Sequence, residues 1–503
     1  MRLLLIILLM ASLFSCSREI IPEKYEMRGA WIASVKNIDW PSQPGLSVEV
    51  QKHEFNRMAG FLHDAGFNTL IAQVRPATDA MYLSEHETWS QWLNGKQGKA
   101  PSPLYDPMNY MIEKTHDLGM EFHAWFNPYR AVVDADSTET ALDHITRLRP
   151  GWFVRYGSNM YFDPGIPEVR DYLVNVIKEV VHKYDVDAIH FDDYFYPYKI
   201  NGEVFPDSLS FVKYGRDFST VEDWRRNNVD QLIHALNKAI KAEKDYVKFG
   251  ISPFGVWRNK AMDDEGSATQ AGVTNYDDLY ADVRKWLKKG WIDYIVPQIY
   301  WHIGFEAAEY KTLAEWWSKN SFDKHLYIGQ AVYRVGGEIN EAWKNPSEMP
   351  DHLRWNKNFP EIAGDMYFKA TTFYQNPLGI TDSLRKDFYA WPAFTPPMLW
   401  IDNQAPQTPN NLELKPLKNG IYLEWKSDDS REEVSYYVVY RNKGKSAGLI
   451  NDPRNIIAKV RHPLQFYKDL SPQKGRYYTY QVTALDRLNN ESPPSVPVTI
   501  KFK

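Results

Sequence analysis

The sequence predicts an α/β chain: a (β/α)8 TIM-type barrel followed by a small all-β sandwich. Three observations carry the prediction. Between residues 28 and 372, eight apolar runs of strand length alternate with segments of helical periodicity. Several helical segments close on Gly or basic residues, as helix C-termini prefer. After Trp400 helical periodicity stops, and β-branched and aromatic runs separated by turn residues replace it. With 503 residues and 44% hydrophobic content, the chain can bury more than one core.

Taken in order, residues 1–16 read as an export signal. Met1-Arg2 supplies a charge, residues 3–13 an apolar run too short to span a bilayer, and Cys16 follows at once. The stretch resembles a bacterial lipoprotein signal, which implies lipidation of Cys16 and an acyl anchor in the outer membrane, facing the periplasm or the surface. Cys16 is the sole cysteine, so an internal disulfide is impossible. The barrel is expected over 26–400, with strands at 28–35, 68–74, 121–127, 188–193, 248–255, 293–300, 325–334 and 364–372. Helices are expected at 53–65, 108–118, 169–184, 223–242, 276–289 and 311–317. Residues 401–409 read as a linker and 410–503 as the sandwich, with strands at 421–425, 435–441, 477–484 and 496–501.

Composition narrows the function. The net charge of −5, with Lys and Arg spread throughout, offers no basic face for nucleic acid. The 13 His residues show no metal-ligand spacing, and no Gly-x-Ser-x-Gly elbow occurs, so neither a metal, a cofactor nor a serine nucleophile is expected. Eighteen Trp and 32 Tyr are enough both to fill cores and to stack on sugar rings. Nothing in the sequence calls for an oligomer, and a monomer is expected.

The chain is organised around residues 187–197, a short strand ending in Asp192 and Asp193, three aromatics and Pro197. Two adjacent charges at the rim of an apolar interior are not what stability alone selects. Alternation places Ile189 and Phe191 toward the helices, and therefore His190 and Asp192 toward the barrel axis. Active sites of such barrels lie at the C-terminal strand ends. There the sequence collects Arg75, Asp79, Asn127, Tyr129, Arg130, Tyr194, Tyr196, Trp257, Gln298, Tyr300, Trp301 and Tyr333. Carboxylates, amides, guanidinium groups and aromatic rings converging on one mouth suit a hydroxyl-rich ligand.

Met27-Arg-Gly-Ala-Trp-Ile, Gln73-Val-Arg-Pro, the run from Glu121 to Arg130, that from His190 to Pro197, Ile251 through Trp257 and Pro297-Gln-Ile-Tyr-Trp301 together resemble the glycosyl-hydrolase-like family 10 proteins. The resemblance implies a barrel that hydrolyses glycosidic bonds of the bacterial envelope, with peptidoglycan glycan strands the leading substrate. The fourth strand is also similar, more distantly, to the Asp-Gly-x-x-x-Asp signature of amylase-type and chitinase-type barrels, Asp187 and Asp192 taking the two Asp positions. Tyr194 stands where chitinases place their acid glutamate.

Such hydrolysis uses two carboxyl groups, or one carboxyl pair with the sugar's own acetamido group as nucleophile. Asp192 is the candidate nucleophile or acetamido-orienting group and Asp193 the candidate acid, with Asp79 and Asp39 as reserves. Gln298 and Tyr300 are candidates for the 2-substituent, Arg75, Asn127 and Arg130 for hydroxyls or a lactyl carboxylate, and Trp257, Trp301 and Tyr196 for ring stacking. A non-catalytic glycan-binding lipoprotein is the alternative, and a tether between outer membrane and wall a third. The enzyme reading expects catalysis to survive removal of residues 405–503.

Pro409, Leu423-Glu-Trp425, Tyr437 through Arg441, Tyr478 through Asp486 and Asn490 through Ser495 resemble a fibronectin type III sandwich. The resemblance implies Trp425 in its core and a tyrosine corner near 478–480.

Overall fold

The computed structural model describes residues 22–338, 340–428 and 434–503; the expected export signal and Cys16 lie outside the described residues. Eight parallel strands close into a barrel in strict sequence order: β1 (Met27–Ile32), β2 (Thr69–Arg75), β3 (Glu121–Phe126), β4 (Ala188–Phe191), β5 (Lys248–Ile251), β6 (Tyr294–Ile295), β7 (His325–Gln330) and β8 (Ile362–Tyr367), with β8 pairing back to β1. Seven helices return the chain on the outside: α1 (Val48–Asp64), α2 (Pro107–Asp117), α3 (Pro167–Lys183), α4 (Val221–Glu243), α5 (Val283–Lys288), α6 (Tyr310–Ser318) and α7 (Glu348–Asn356). Short helical turns over 372–388 complete the ring.

Strand side chains divide as the alternation requires. Ile189 and Phe191 join the large core between strands and helices. Trp31, Ile71, Trp125, Tyr294, Tyr327 and Met366 fill the barrel axis. The axis is tightly filled: a Cβ on Gly250 would lie 1.9 Å from the Tyr294 ring, so only glycine fits there. His190 faces inward in a buried polar ladder. Its Nδ1 meets Tyr294 Oη at 3.0 Å, that hydroxyl meets His123 Nδ1 at 2.9 Å, and His123 Nε2 meets Glu121 at 2.9 Å. Each rung supplies the other's partner, which is what makes polar groups tolerable inside a barrel.

Several elements differ from expectation. The helix expected over 276–289 shrinks to Val283–Lys288, because Asn275 turns its amide onto the carbonyls of Phe254 and Val256 and holds the preceding chain as a loop, while Asp282 caps the helix at the Lys285 N–H. The sixth strand is ladder-paired only at Tyr294–Ile295 before Pro297 interrupts it. Helix α7 escapes a sequence reading because Pro350 sits inside it, yet it occupies the first turn, where its missing N–H costs nothing. A three-stranded antiparallel sheet of Arg130–Val132, Phe153–Tyr156 and Asn159–Phe162 rises after β3.

The C-terminal region forms two antiparallel sheets. One holds Asn410–Leu417, Gly420–Lys426 and Phe466–Asp469; the other holds Ile456–Arg461, Tyr436–Lys443, Tyr477–Leu485 and Val498–Lys501. Trp425 is buried between them against Tyr437. The Gln473 N–H donates to Tyr478 Oη at 2.9 Å. Asn410–Leu417, Ile456–Arg461 and Phe466–Asp469 were not expected; they are peripheral strands rich in charge, whose apolar alternation is weak.

This region joins the barrel through residues 401–409, which form no helix or strand. It seats on the floor of the barrel, at the N-terminal strand ends, through polar contacts. Asn489 Nδ2 donates to Glu121 Oε1 (3.0 Å), Lys459 Nζ to the Gly119 carbonyl (2.9 Å), and Arg461 to Glu113 and Asp117 (2.9 Å each). Arg487 pairs with Asp185 at 2.5 Å, and Lys24, just before β1, pairs with Glu491.

Candidate active site

At the opposite end a cavity of about 430 Å³ opens at the mouth, lined by both aspartates, by Gln73, Arg130, Ser252 and Gln298, and by aromatic rings from six strand ends. The Asp192 side chain is fixed by relay. The backbone N–H groups of Ser34 and Val35 donate to Gln73 Oε1 (3.0 and 2.9 Å). That leaves the Gln73 amide nitrogen to donate to Asn127 Oδ1 at 2.6 Å, where Arg130 Nη2 also donates at 2.7 Å. Asn127 Oδ1 is thereby committed as acceptor, so Nδ2 donates to Asp192 Oδ2 at 3.1 Å. Asp192 Oδ1 accepts the Asp193 N–H (2.8 Å) and the Gln298 amide (3.2 Å), which is anchored to the Ser252 carbonyl at 2.8 Å. Three N–H donors thus hold one carboxylate between strand ends three, four and six.

Asp193 has a different setting. Tyr198 Oη donates to its Oδ2, while the Asp193 backbone N–H is the one that donates to Asp192 Oδ1. Burial, and then the adjacent Asp192 carboxylate, raise Asp193 well above the usual carboxyl range, with Tyr198 opposing. A carboxyl group whose hold on its proton is strengthened in this way is suited to donate it to a leaving oxygen.

The structure brings together Asp192, Asp193, Asn127, Arg130, Tyr194, Gln298, Tyr300 and Tyr333, with the Arg130 guanidinium 5.3 Å from the centre of the Tyr194 ring. Other candidates lie elsewhere. Arg75 is 1% exposed and commits its guanidinium to Glu87 (2.6 Å) and the carbonyls of Asn127 and Pro128, making it an internal strut. Asp79 is buried beside Gln97, where burial pushes it up to about 6. Tyr129 is 1% exposed. Tyr196, expected to stack on sugar, is walled in by Phe205 and Tyr280. Trp257 lies beneath Trp316 and Arg284, and Trp301 packs on Phe254 and Phe305 one ring away from Tyr198. The reserve Asp39 is consumed by the Ala33 N–H and by Thr371. Asp187 sits at the floor, accepting from the Phe122 N–H and 2.8 Å from His116.

Sequence reasoning missed Tyr198, Trp31, Ser252 and Phe368 as cavity-lining groups, whereas Trp125 is found by its place at the end of the third strand. Tyr198 follows Pro197, which reads as the end of the motif. Trp31 shares the inward parity of Asp192 on its own strand, and that parity is the signal that finds it.

The sequence model of the family described as "Glycosyl hydrolase-like 10" matches residues 26–345. Among curated relatives, "Glycosyl hydrolase YngK" of Bacillus subtilis is 48% identical over 483 residues, covering 94% of this chain and 93% of its own. "Glycosyl hydrolase DigH" of Escherichia coli K12 is 39% identical over 366 residues, covering 68% and 82% respectively. Among solved structures, the glycoside hydrolase domain of PgaB (BpsB) from Bordetella bronchiseptica is 12% identical, is matched over 72% of this chain and 99% of its own, and has a TM-score of 0.46.

Proposed function

The chain belongs to the glycosyl hydrolase-like 10 family, and from that premise we propose that it is an envelope glycosidase whose leading substrate is the amino-sugar glycan strand of peptidoglycan. The observation that carries the reading is the carboxyl pair at the mouth: Asp192 held as acceptor by three N–H donors, beside a buried Asp193 whose hold on its proton is strengthened by burial and by its charged neighbour. Asp193 protonates the leaving oxygen, and Asp192 stabilises positive charge at or near the anomeric carbon. Tyr194, Tyr300 and Tyr333 present rings to the sugar, and Gln298 and Arg130 supply donors. On the same reading Cys16 carries the acyl anchor of an exported outer-membrane lipoprotein, and the C-terminal region is a fibronectin type III module. That module serves as a floor for the barrel, because its contacts lie at the end opposite the carboxyl pair.

Digestion of peptide-stripped glycan strands by protein beginning at residue 17, beside Asp192→Asn and Asp193→Asn, tests this, with products read by mass. Saccharide release by the parent protein and its loss in both variants is the expected result. Binding of strands without release would make the mouth a lectin-like site.

A further inference from the structure

A retaining glycosidase with its own nucleophile needs a second carboxylate free to attack C1, and an inverting one a second carboxylate free to activate water. At the mouth the two carboxyl groups come from adjacent residues, and Asp192 is engaged on both oxygens: Oδ1 accepts the N–H of Asp193 at 2.8 Å and the Gln298 amide at 3.2 Å, and Oδ2 the Asn127 amide at 3.1 Å. Among the described residues no third carboxyl group lines the cavity. Asp39 is fully engaged by Ala33 and Thr371, and Asp79 is buried beside Gln97. The cavity therefore holds one proton donor and one rigid acceptor, and among the described residues lacks a separate carboxylate nucleophile.

Resting on the glycosidase reading above, we propose that the nucleophile comes from the substrate: the mouth takes 1,2-trans glycosides of 2-acetamido-2-deoxy sugars, and their acetamido oxygen performs the displacement. That oxygen attacks C1 as the C1–O bond to the leaving sugar breaks, and the leaving oxygen takes the Asp193 proton. Positive charge spreads into the five-membered oxazolinium ring so formed, and Asp192 accepts its N–H. Water then adds to C1, returns a proton to Asp193 and reopens the ring to the acetamido group. The sum is glycoside plus water giving two sugars, with C1 configuration retained. Only a 1,2-trans glycoside lets the acetamido group attack from the face opposite the leaving group. The rigidity of Asp192 fits this role, because Asn127 and Gln298 hold its oxygens at fixed positions, as an orienting group requires and an attacking one does not.

The test compares peptide-stripped strands carrying their natural N-acetyl groups with the same strands N-deacetylated and re-acylated with trifluoroacetyl, which keeps the shape but makes the carbonyl oxygen a poor nucleophile. The expected result is release from natural strands with the β-anomer formed first, as read by NMR, and a kcat at least about 10²-fold lower on trifluoroacetylated strands at similar KM. Equal rates on both, or an α-anomer first, overturn the inference and leave the glycosidase reading standing. No release from either material, with binding intact, overturns both.

Discussion

The two ends of the barrel both bury ionisable groups, and they treat them in opposite ways. At the floor the buried carboxylate Glu121 meets its complement. Glu121 accepts from Lys248 at 2.5 Å, from Asn489 at 3.0 Å and from Thr395, and it meets His123 at 2.9 Å. With those partners its carboxyl falls well below the usual range. At the mouth two like groups stand on adjacent residues, and the nearby cation, Arg130, is turned onto the Pro76 carbonyl and Asn127 rather than onto either carboxylate. Removing a charge should therefore unbalance the floor and relieve the mouth. Such barrels keep chemistry at the C-terminal face and stability at the other. In this chain the division extends to a second region, because the sandwich completes the floor's ion pairs and hydrogen bonds.

The contrast breaks most visibly at Asp193. Asp193→Asn should lower kcat on glycan strands by about 10²–10⁴-fold while leaving the melting temperature unchanged or higher, checked by product release beside calorimetry. Glu121→Gln should do the reverse. It leaves Lys248 buried without its counter-charge, at a cost of about 3–5 kcal/mol in denaturant titration, with turnover per folded molecule preserved. Asn489→Ala should cost about 1–3 kcal/mol by the same titration, since it removes a donor from the buried Glu121 carboxylate. Removal of residues 405–503 then strips the floor of partners, so loss of activity on truncation reports unfolding rather than a role in wall contact.

Smaller effects sharpen the picture of the mouth. Tyr198→Phe removes the hydrogen bond that opposes the rise of Asp193, so the basic limb of the pH–rate profile should move to higher pH, with a few-fold change in kcat. Folding raises the Asp193 carboxyl above its unfolded value of about 3.9, so between that pH and the higher folded value the native protein holds more protons than the unfolded chain. Stability from this group therefore falls as pH rises through that window. Asp193→Asn should remove that fall, and melting temperatures of the two proteins followed upward from about pH 4 check it.

Much of the barrel was legible because its signals are local. Parity along four residues placed His190 on the axis and Asp192 at the mouth, and strand-end position led to Asn127, Arg130, Gln298, Tyr300 and Tyr333. What sequence could not resolve is whether a polar residue at a strand end is already engaged. Arg75 and Asp79 read as available, yet Glu87 and Gln97, brought in by the loop after β2, occupy them. The aromatic residues failed for a related reason. Trp257 and Tyr196 stand beside the right motifs, but loops fold over the helix layer and bury them, and no periodicity reports a loop's path. The docking of the sandwich was equally hidden, because it depends on single residues such as Lys459 and Asn489 whose partners lie more than 300 residues away.

The most direct test measures hydrolysis rate per folded molecule for Asp192→Asn, Asp193→Asn and Glu121→Gln on peptide-stripped strands, each with its melting temperature. The account predicts two classes: mouth variants that melt like the parent and turn over at a small fraction of its rate, and a floor variant that melts lower and turns over normally while folded. An Asp193→Asn protein that melts markedly lower, with a rate that merely tracks its folded fraction, would contradict it.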